Sequence, residues 1–551
     1  MVIARNSDEG VAGRWLRQPT SPEISVRWFG AVGDGRDDTS AIVRALSAAA
    51  RSPEKVIYFP PSARAYAIIQ PIIITSHGIS VRGGEGAVIE QRTWGPPVFD
   101  IYNADDVTIS DLSLVMEGGD RSEIPTTTVG VNGPTYNAGV SSSGNRTIVR
   151  NVSVRGFLSG VKLTTYDRAT RTYSGTRVGN IIEDVQVSEV AFGLLTTAQD
   201  DLVVTGLTGS YELFPYYPAP PHLIYMSGSS TTTAMTLSTN ITIRDCEATN
   251  GRGGSAFQFG GIRGGRVTNC TADDCDSLLS TGDCRDMTFT RISSINDANL
   301  YAGSLAVPDD ASSNIIFQDL TMEMSETNGN RLILLGGVDC RIENADLRVR
   351  RSTFPCGPDI AVVGERSSLR NIRISGIDSA GGSTGILYYE GSGHSLDAVE
   401  MAGMGIGIQV AANVRDSDLS YNPNLITVNP LLGAPARRVG INEPSAGVDP
   451  GIHVKRSERR VPYAFSGGIR VEAGSVSHAL ISASGPVQIL DTRDQTAGMD
   501  LTFEITNITT RSLPIVWDRS FRFASPLLTV SPGATVSISF TRTADHIWQE
   551  R

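Results

Sequence analysis

Residues 240–249 read NITIRDCEAT, and residues 266–272 read RVTNCTA. Each is a short alternating strand, then Asp245 or Asn269, then a second short strand that opens on a cysteine. The unit returns as DVTISDLSLV (106–115), RTIVRNVSVRGF (146–157), NIIEDVQVSEV (180–190), NIIFQDLTM (314–322), CRIENADLRV (340–349) and SLRNIRISG (368–376). With the Asp or Asn as anchor, Asp245 to Asn269 is 24 positions, Asp319 to Asn344 is 25 and Asn344 to Asn371 is 27, whereas Asp111 to Asn151 is 40. A period in the twenties marks a solenoid. Alternation within each copy marks strands, and no helical stretch separates the copies, so leucine-rich repeats fit poorly. The reading is an all-β chain. It predicts a right-handed single-stranded parallel β-helix, three short strands per coil, over about 55–430. Longer gaps mark loops inserted between coils, which in solenoids gather on the binding face.

The anchor has a structural reason. Asp and Asn tolerate left-handed backbone and hydrogen-bond their own turns, so stacked coils line them up in a ladder. Cys246 and Cys270 fall at equivalent places one coil apart and read as buried reduced thiols; Cys270, Cys275 and Cys284 lack zinc-type spacing, and no metal or other cofactor is expected.

The bulk numbers agree. A chain of 551 residues with 57 glycines, 19% charged and 7% aromatic residues suits turn-rich β-structure. A net charge of −11 argues against nucleic acid and against anionic membrane surfaces as partners. MVIARNSDEGVAGRWL (1–16) has no apolar run of signal-peptide length, and no stretch approaches a membrane span. Six thinly spread cysteines fit folding in a reducing cytosol.

Upstream, FGAVGDGRDDTSAI (29–42) raises three readings. No Gly-Lys-Ser/Thr follows, which excludes a nucleotide-binding P-loop, and the aspartate spacing misses an EF-hand. The stretch reads as a sharp turn into a helix near 38–50, with Asp38 or Thr39 as N-cap and Ala41, Ile42, Ala45, Leu46 and Ala49 as the apolar face. Such a helix covers the open end of the solenoid.

VRWFGAVGDGRDDTSAI (26–42), with GRWLR (13–17) just before it, resembles the opening motif of the pectate-lyase-like β-helix superfamily, in the version found in bacteriophage tailspikes and capsular polysaccharide depolymerases. The resemblance covers residues 13 to about 430 and marks no catalytic residue. It implies a homotrimeric, polysaccharide-degrading receptor-binding protein of a virion tail, made in the host cytoplasm, acting on a capsule, exopolysaccharide or O-antigen and possessing other phage tail proteins as neighbours. No upstream virion-attachment domain is evident, so the expectation is a shortened chain or attachment through an N-terminal arm (1–28). Residues 431–468, rich in Pro, Gly and Arg, read as a connector. VGINEPSAGVDPGIHV (439–454) loosely resembles a segment near trimerising ends of phage fibres. Short strands beyond it predict a C-terminal β-sandwich (469–551) for trimerisation or carbohydrate binding.

Glycosidic hydrolysis needs two carboxyl groups about 5 Å apart for retention or roughly 6.5–9.5 Å for inversion. Coils stacked about 4.8 Å apart supply that range readily. The densest acidic stretch, 246–286, offers Glu247, Asp273, Asp274, Asp276 and Asp283 as catalytic candidates. With Cys246 and Ala248 inward, Glu247 points out, and Asp273 points out one coil later. Each can equally be a solvated turn residue. The preceding insertion YELFPYYPAPPHLIY (211–225) offers Tyr211, Tyr216 and Tyr217 to stack on sugar rings. His222 either packs under this loop or, with Tyr225, serves as base and acid in a β-elimination on a uronic acid, whose carboxylate Arg252, Arg263 or Arg285 would neutralise. Hydrolase, lyase and a non-catalytic adhesin therefore stand as the functional readings, hydrolase first.

Overall fold

The computed structural model describes residues 23–421 outside 118–136, 168, 171, 214–218, 231–234, 296–299, 303–311, 325–331, 352–357, 379–383 and 405. Beyond those limits it describes strands 3–5 and 15–17 and, toward the C-terminus, 426–428, 437–441, 453–456, 460–470, 478–490, 500–517, 520–522, 529–543 and 547–550. Tyr216 and Tyr217, most of the expected N-terminal arm and much of the expected connector lie outside the described residues.

The chain is a parallel β-helix. One coil runs from strand Ser255–Gly260 into strand Ile262–Asp273, turns a corner, and re-enters the first sheet as Ser277–Gly282. The long strand bends at Asn269, whose φ is 56°. Its first half and its second half therefore form two faces, and the short strands form a third. Strands Ser238–Arg244 and Glu247–Thr249 pair in parallel with the two halves of Ile262–Asp273, and Arg285–Ile295 follows on the other side in unbroken register. The third face is a 14-stranded sheet from Ile72–Ile74 to Arg437–Ile441. Strands Arg437–Ile441 and His453–Arg456 pair with Ile406–Arg415 and Asp418–Tyr421, so coil strands continue past 430 into the segment expected as connector.

The anchors do what their chemistry predicts. Asp111, Asn151, Asp184, Asp245, Asn269, Asp319, Asn344 and Asn371 all have φ between 50° and 59°. Their side chains form ladders: Asn151 donates to Asp111 (2.7 Å), Asn269 to Asp245 (2.6 Å), Asn344 to Asp319 (3.0 Å) and Asn371 to Asn344 (2.9 Å). Asn344 sits mid-ladder. Asn344→Ala removes both bonds and the polar side chain that makes left-handed backbone tolerable for Asn, an expected loss of about 2 kcal/mol in urea unfolding. Asn344→Gly should lose less, which isolates the backbone share.

The helix is Thr39–Ala49, with Ala41, Ile42, Ala45, Leu46 and Ala49 buried against the first coil. Its capping differs from expectation. The Asp38 carboxylate is used backwards, accepting the Val32 and Gly33 N–H groups (2.9 and 3.0 Å), so it fixes the glycine turn and not the helix. Asp37 accepts the Thr39 N–H (2.9 Å) instead. Cys246 and Cys270 stack one coil apart as buried free thiols, each donating to the carbonyl two residues before it.

At the C-terminus, strands 460–470, 478–490 and 500–507 are parallel neighbours, and Thr535–Arg542 and Trp548–Glu550 close the group antiparallel. The sheet is mixed and surrounds one aromatic core of Phe503, Phe521, Phe540 and Trp548, with Trp517 against it.

Candidate functional site

The outer side of the third face is covered in some described coils and open in others, as at Ile73 and Tyr389. Phe192–Thr197, Ile333–Leu335 and Ile360–Val362 are buried at every position. Between them His222–Ser227, Ser255–Gly260 and Ser277–Gly282 share a different pattern, with their fourth and sixth residues half-exposed. Register aligns Tyr225, Gln258 and Ser280 across these three coils. The window opens beside the corner that leads into the third face. There a cavity of about 470 Å³, a volume suited to a small ligand, is lined by His222, Tyr225, Gly254, Gln258, Asp276 and Ser277, among others.

Each lining group has a local cause. Residues 251–254 turn tightly: Gly253 has φ +91°, and a β-carbon on Gly254 would lie 2.1 Å from the Pro221 carbonyl oxygen, so both must be glycine. Three side chains hold this turn. Asp276 accepts the Gly253 N–H (2.6 Å), Tyr211 donates its hydroxyl to the Gly254 carbonyl (3.1 Å), and His222 donates from Nδ1 to the Ser255 carbonyl (2.7 Å). Only a carbonyl faces Nδ1, so that nitrogen carries the proton and Nε2 is left with its lone pair. The imidazole is 4% exposed, and burial pushes its pKa down to about 4, so it is neutral near pH 7. Its ring lies 5.2 Å from that of Tyr225, which in turn meets Phe192 edge-on at 5.8 Å. Phe192, Leu158, Ala191 and Leu195 form a small apolar cluster outside the main core, against which Tyr225 and Trp94 pack. Burial raises the Tyr225 pKa, so its hydroxyl stays a proton donor.

The His222 environment has a consequence for pH. Its folded pKa of about 4 lies below the ordinary 6.5. Between those values the unfolded chain binds the extra proton, so stability rises with pH across that window and the gain is complete above it. The full swing is roughly 3 kcal/mol. His222→Gln should flatten this part of a stability profile measured by urea titration from pH 4 to 7; an unchanged slope would contradict the burial argument.

The five expected carboxylates do not converge. Cys246 and Ala248 are buried, so Glu247 and Asp273 do point outward from the second face. They are diagonal and not opposite: Glu247 aligns with Thr271, and Asp273 with Thr249. Asp274, with φ 53°, and Asp276 occupy the corner. Asp283 ends the third face, one six-residue strand away, roughly 20 Å at the usual rise. Arg263 and Arg285 are register neighbours at that far corner and cannot serve the cavity. Arg252 is at the near corner but committed: it bonds Asp274 at 2.6 Å and lies 3.9 Å from Asp276. Asp274 and Asp276 thus face one guanidinium, which bounds the separation of their carboxyl groups at roughly 9 Å. Tyr211 is fully buried beneath Gly251 and offers no ring to a sugar. Gln258, Phe192 and Ser277 were not anticipated. Only Gln258 had a signal, as the polar position between Phe257 and Phe259. No group of His, Cys, Asp or Glu among the described residues is arranged to hold a metal ion.

No protein-family model and no curated protein matches the chain. Solved structures share its architecture. Tailspike protein 3 of bacteriophage CBA120 aligns over 85% of this chain and 67% of its own, at 10% identity and TM-score 0.46. The surface adhesin PfbA of Streptococcus pneumoniae aligns over 72% of this chain and 99% of its own, at 12% identity and TM-score 0.41. The A-module of the Azotobacter vinelandii mannuronan C-5 epimerase AlgE4 aligns over 79% and 99%, at 16% identity and TM-score 0.39. At these identities the likeness is one of fold and does not choose among their activities.

Proposed function

We propose that this protein is a phage tailspike that binds a bacterial surface polysaccharide and hydrolyses it at the corner cavity. The observation that carries the reading is the convergence, at one corner cavity, of an aromatic ring (Tyr225), hydroxyl-reading groups (Gln258 and the Nε2 of His222) and a carboxylate (Asp276). Tyr225 stacks on a sugar, and its support by Phe192 keeps the ring fixed, so little entropy is lost on binding. Asp276 meets the glycosidic bond, and Asp274 is the second carboxyl of the pair. Purified protein incubated with capsular or O-antigen polysaccharide should release reducing ends; a protein that binds the glycan without shortening it is an adhesin.

One observation favours a second reading. A neutral imidazole beside a protonated Tyr225 is also the base and acid of a β-elimination. That reaction would give unsaturated uronate, which absorbs in the near ultraviolet, and the activity would vanish in His222→Ala but survive in Asp276→Asn.

Assembly as a homotrimer through the C-terminal strands belongs to the same proposal. Deleting residues 470–551 should convert a sedimenting trimer into smaller species at micromolar concentration; a full-length protein that sediments as a monomer opposes it.

A further inference from the structure

The polar groups that open into the corner cavity are unequal. Asp276 is a carboxylate and can only accept hydrogen bonds. The His222 side chain is more than nine-tenths buried, its Nδ1 proton is spent on the Ser255 carbonyl, and Nε2 has no hydrogen-bond partner among the described residues, so it too presents only a lone pair. Tyr225 and Gln258 can donate or accept. Among the described residues the cation at this corner is Arg252, which is already bonded to Asp274 and faces Asp276. The described residues of 211–221, of which Pro220 lines the cavity, include Glu212 and no Lys or Arg. A ligand here must therefore bring hydrogen-bond donors. A carboxylate, sulfate or phosphate would set acceptors against acceptors and negative charge against Asp276, which costs ~10-fold or more in affinity.

We infer that the cavity selects an uncharged or amino-bearing sugar and rejects acidic ones, so that the glycan presents a neutral residue at the bond that is cut. This rests on the glycan-cleaving reading and narrows it. It also weighs against elimination, which needs a uronate and a cation to neutralise it.

The test uses the full chain and purified capsular polysaccharides of two kinds: neutral or amino-sugar polymers, and uronate polymers each assayed before and after carbodiimide–borohydride reduction of its carboxyl groups. Binding is read by biolayer interferometry and cleavage by reducing ends. The expected result is binding confined to the first kind and to reduced members of the second, with reduction improving affinity ~10-fold or more and with little dependence on salt. Tight, salt-sensitive binding of an unreduced uronate polymer, lost on reduction, would overturn the sugar class while leaving glycan recognition intact. Failure to bind any polymer of either kind would sink the glycan reading and this inference with it. As an internal check, Asp276→Asn should relax the rejection of unreduced uronate polymers; if it does not, the carboxylate is not the selecting group.

Discussion

Asp276→Asn should lower polysaccharide cleavage ~10²-fold or more, as loss of a general acid or base does, while glycan binding persists. The amide keeps an oxygen that can accept the Gly253 N–H, so the turn at 251–254 is expected to hold and the melting temperature to stay. Asp274→Asn should fall in the same range, since it removes the second carboxyl and leaves Arg252 half-paired. Glu247→Gln and Asp273→Asn lie on the second face and should change the rate only a few-fold. Asp283→Asn, at the opposite corner, should change nothing. Reducing-end assays at saturating glycan decide the order. Full activity in both Asp276→Asn and Asp274→Asn would leave elimination by His222 and Tyr225 as the reaction, whereas a larger loss in Glu247→Gln would return the active site to the second face.

Phe289→Ala should be the most destabilising single change in the solenoid, at about 3–5 kcal/mol. Phe289 is fully buried, stacks on Phe317 in the next coil at 4.8 Å and meets Phe259 across the interior at 5.7 Å. The cavity left cannot collapse, because both neighbouring coils are fixed by parallel ladders on either side. Urea unfolding measures it, and Phe289→Leu should recover more than half. A loss below about 1 kcal/mol would mean that the coils can close on the void.

Much of the fold could be read because its turns demand particular chemistry. A coil that bends through left-handed backbone favours Asp, Asn or Gly at the bend, and residues at 111, 151, 245, 269, 319, 344 and 371 announced it, although Arg291 and Ala398 take the same bend unannounced. The helix was legible for the same reason, though the division of labour between Asp37 and Asp38 was not, since adjacent carboxylates look alike until the backbone chooses between them. The site was harder. Asp283 is close to Asp276 in sequence, but a coil spends six residues on the third face and carries Asp283 to the other side. Tyr211 sits beside a proline-rich insertion and looked like a surface ring; it ends strand Thr208–Tyr211, which turns it inward. Gln258 was visible in the alternation of SAFQFG. The clamps on Gly253 and Gly254 join residues up to 43 positions apart, and no local pattern encodes them.

The ladders of Asp and Asn also have a direction. Each begins on a carboxylate, and every amide donates toward the coil before it. A growing chain that skipped the coil carrying Asn151 would lay Asp184 on Asp111, two carboxylates at the distance of adjacent strands, with no amide between them. Correct winding is rewarded wherever an amide follows an anchor, and that omission is penalised at once, before later coils can bury it. The bends that shape the molecule thus double as a proofreading device, checking the order in which coils are laid down as the solenoid is wound.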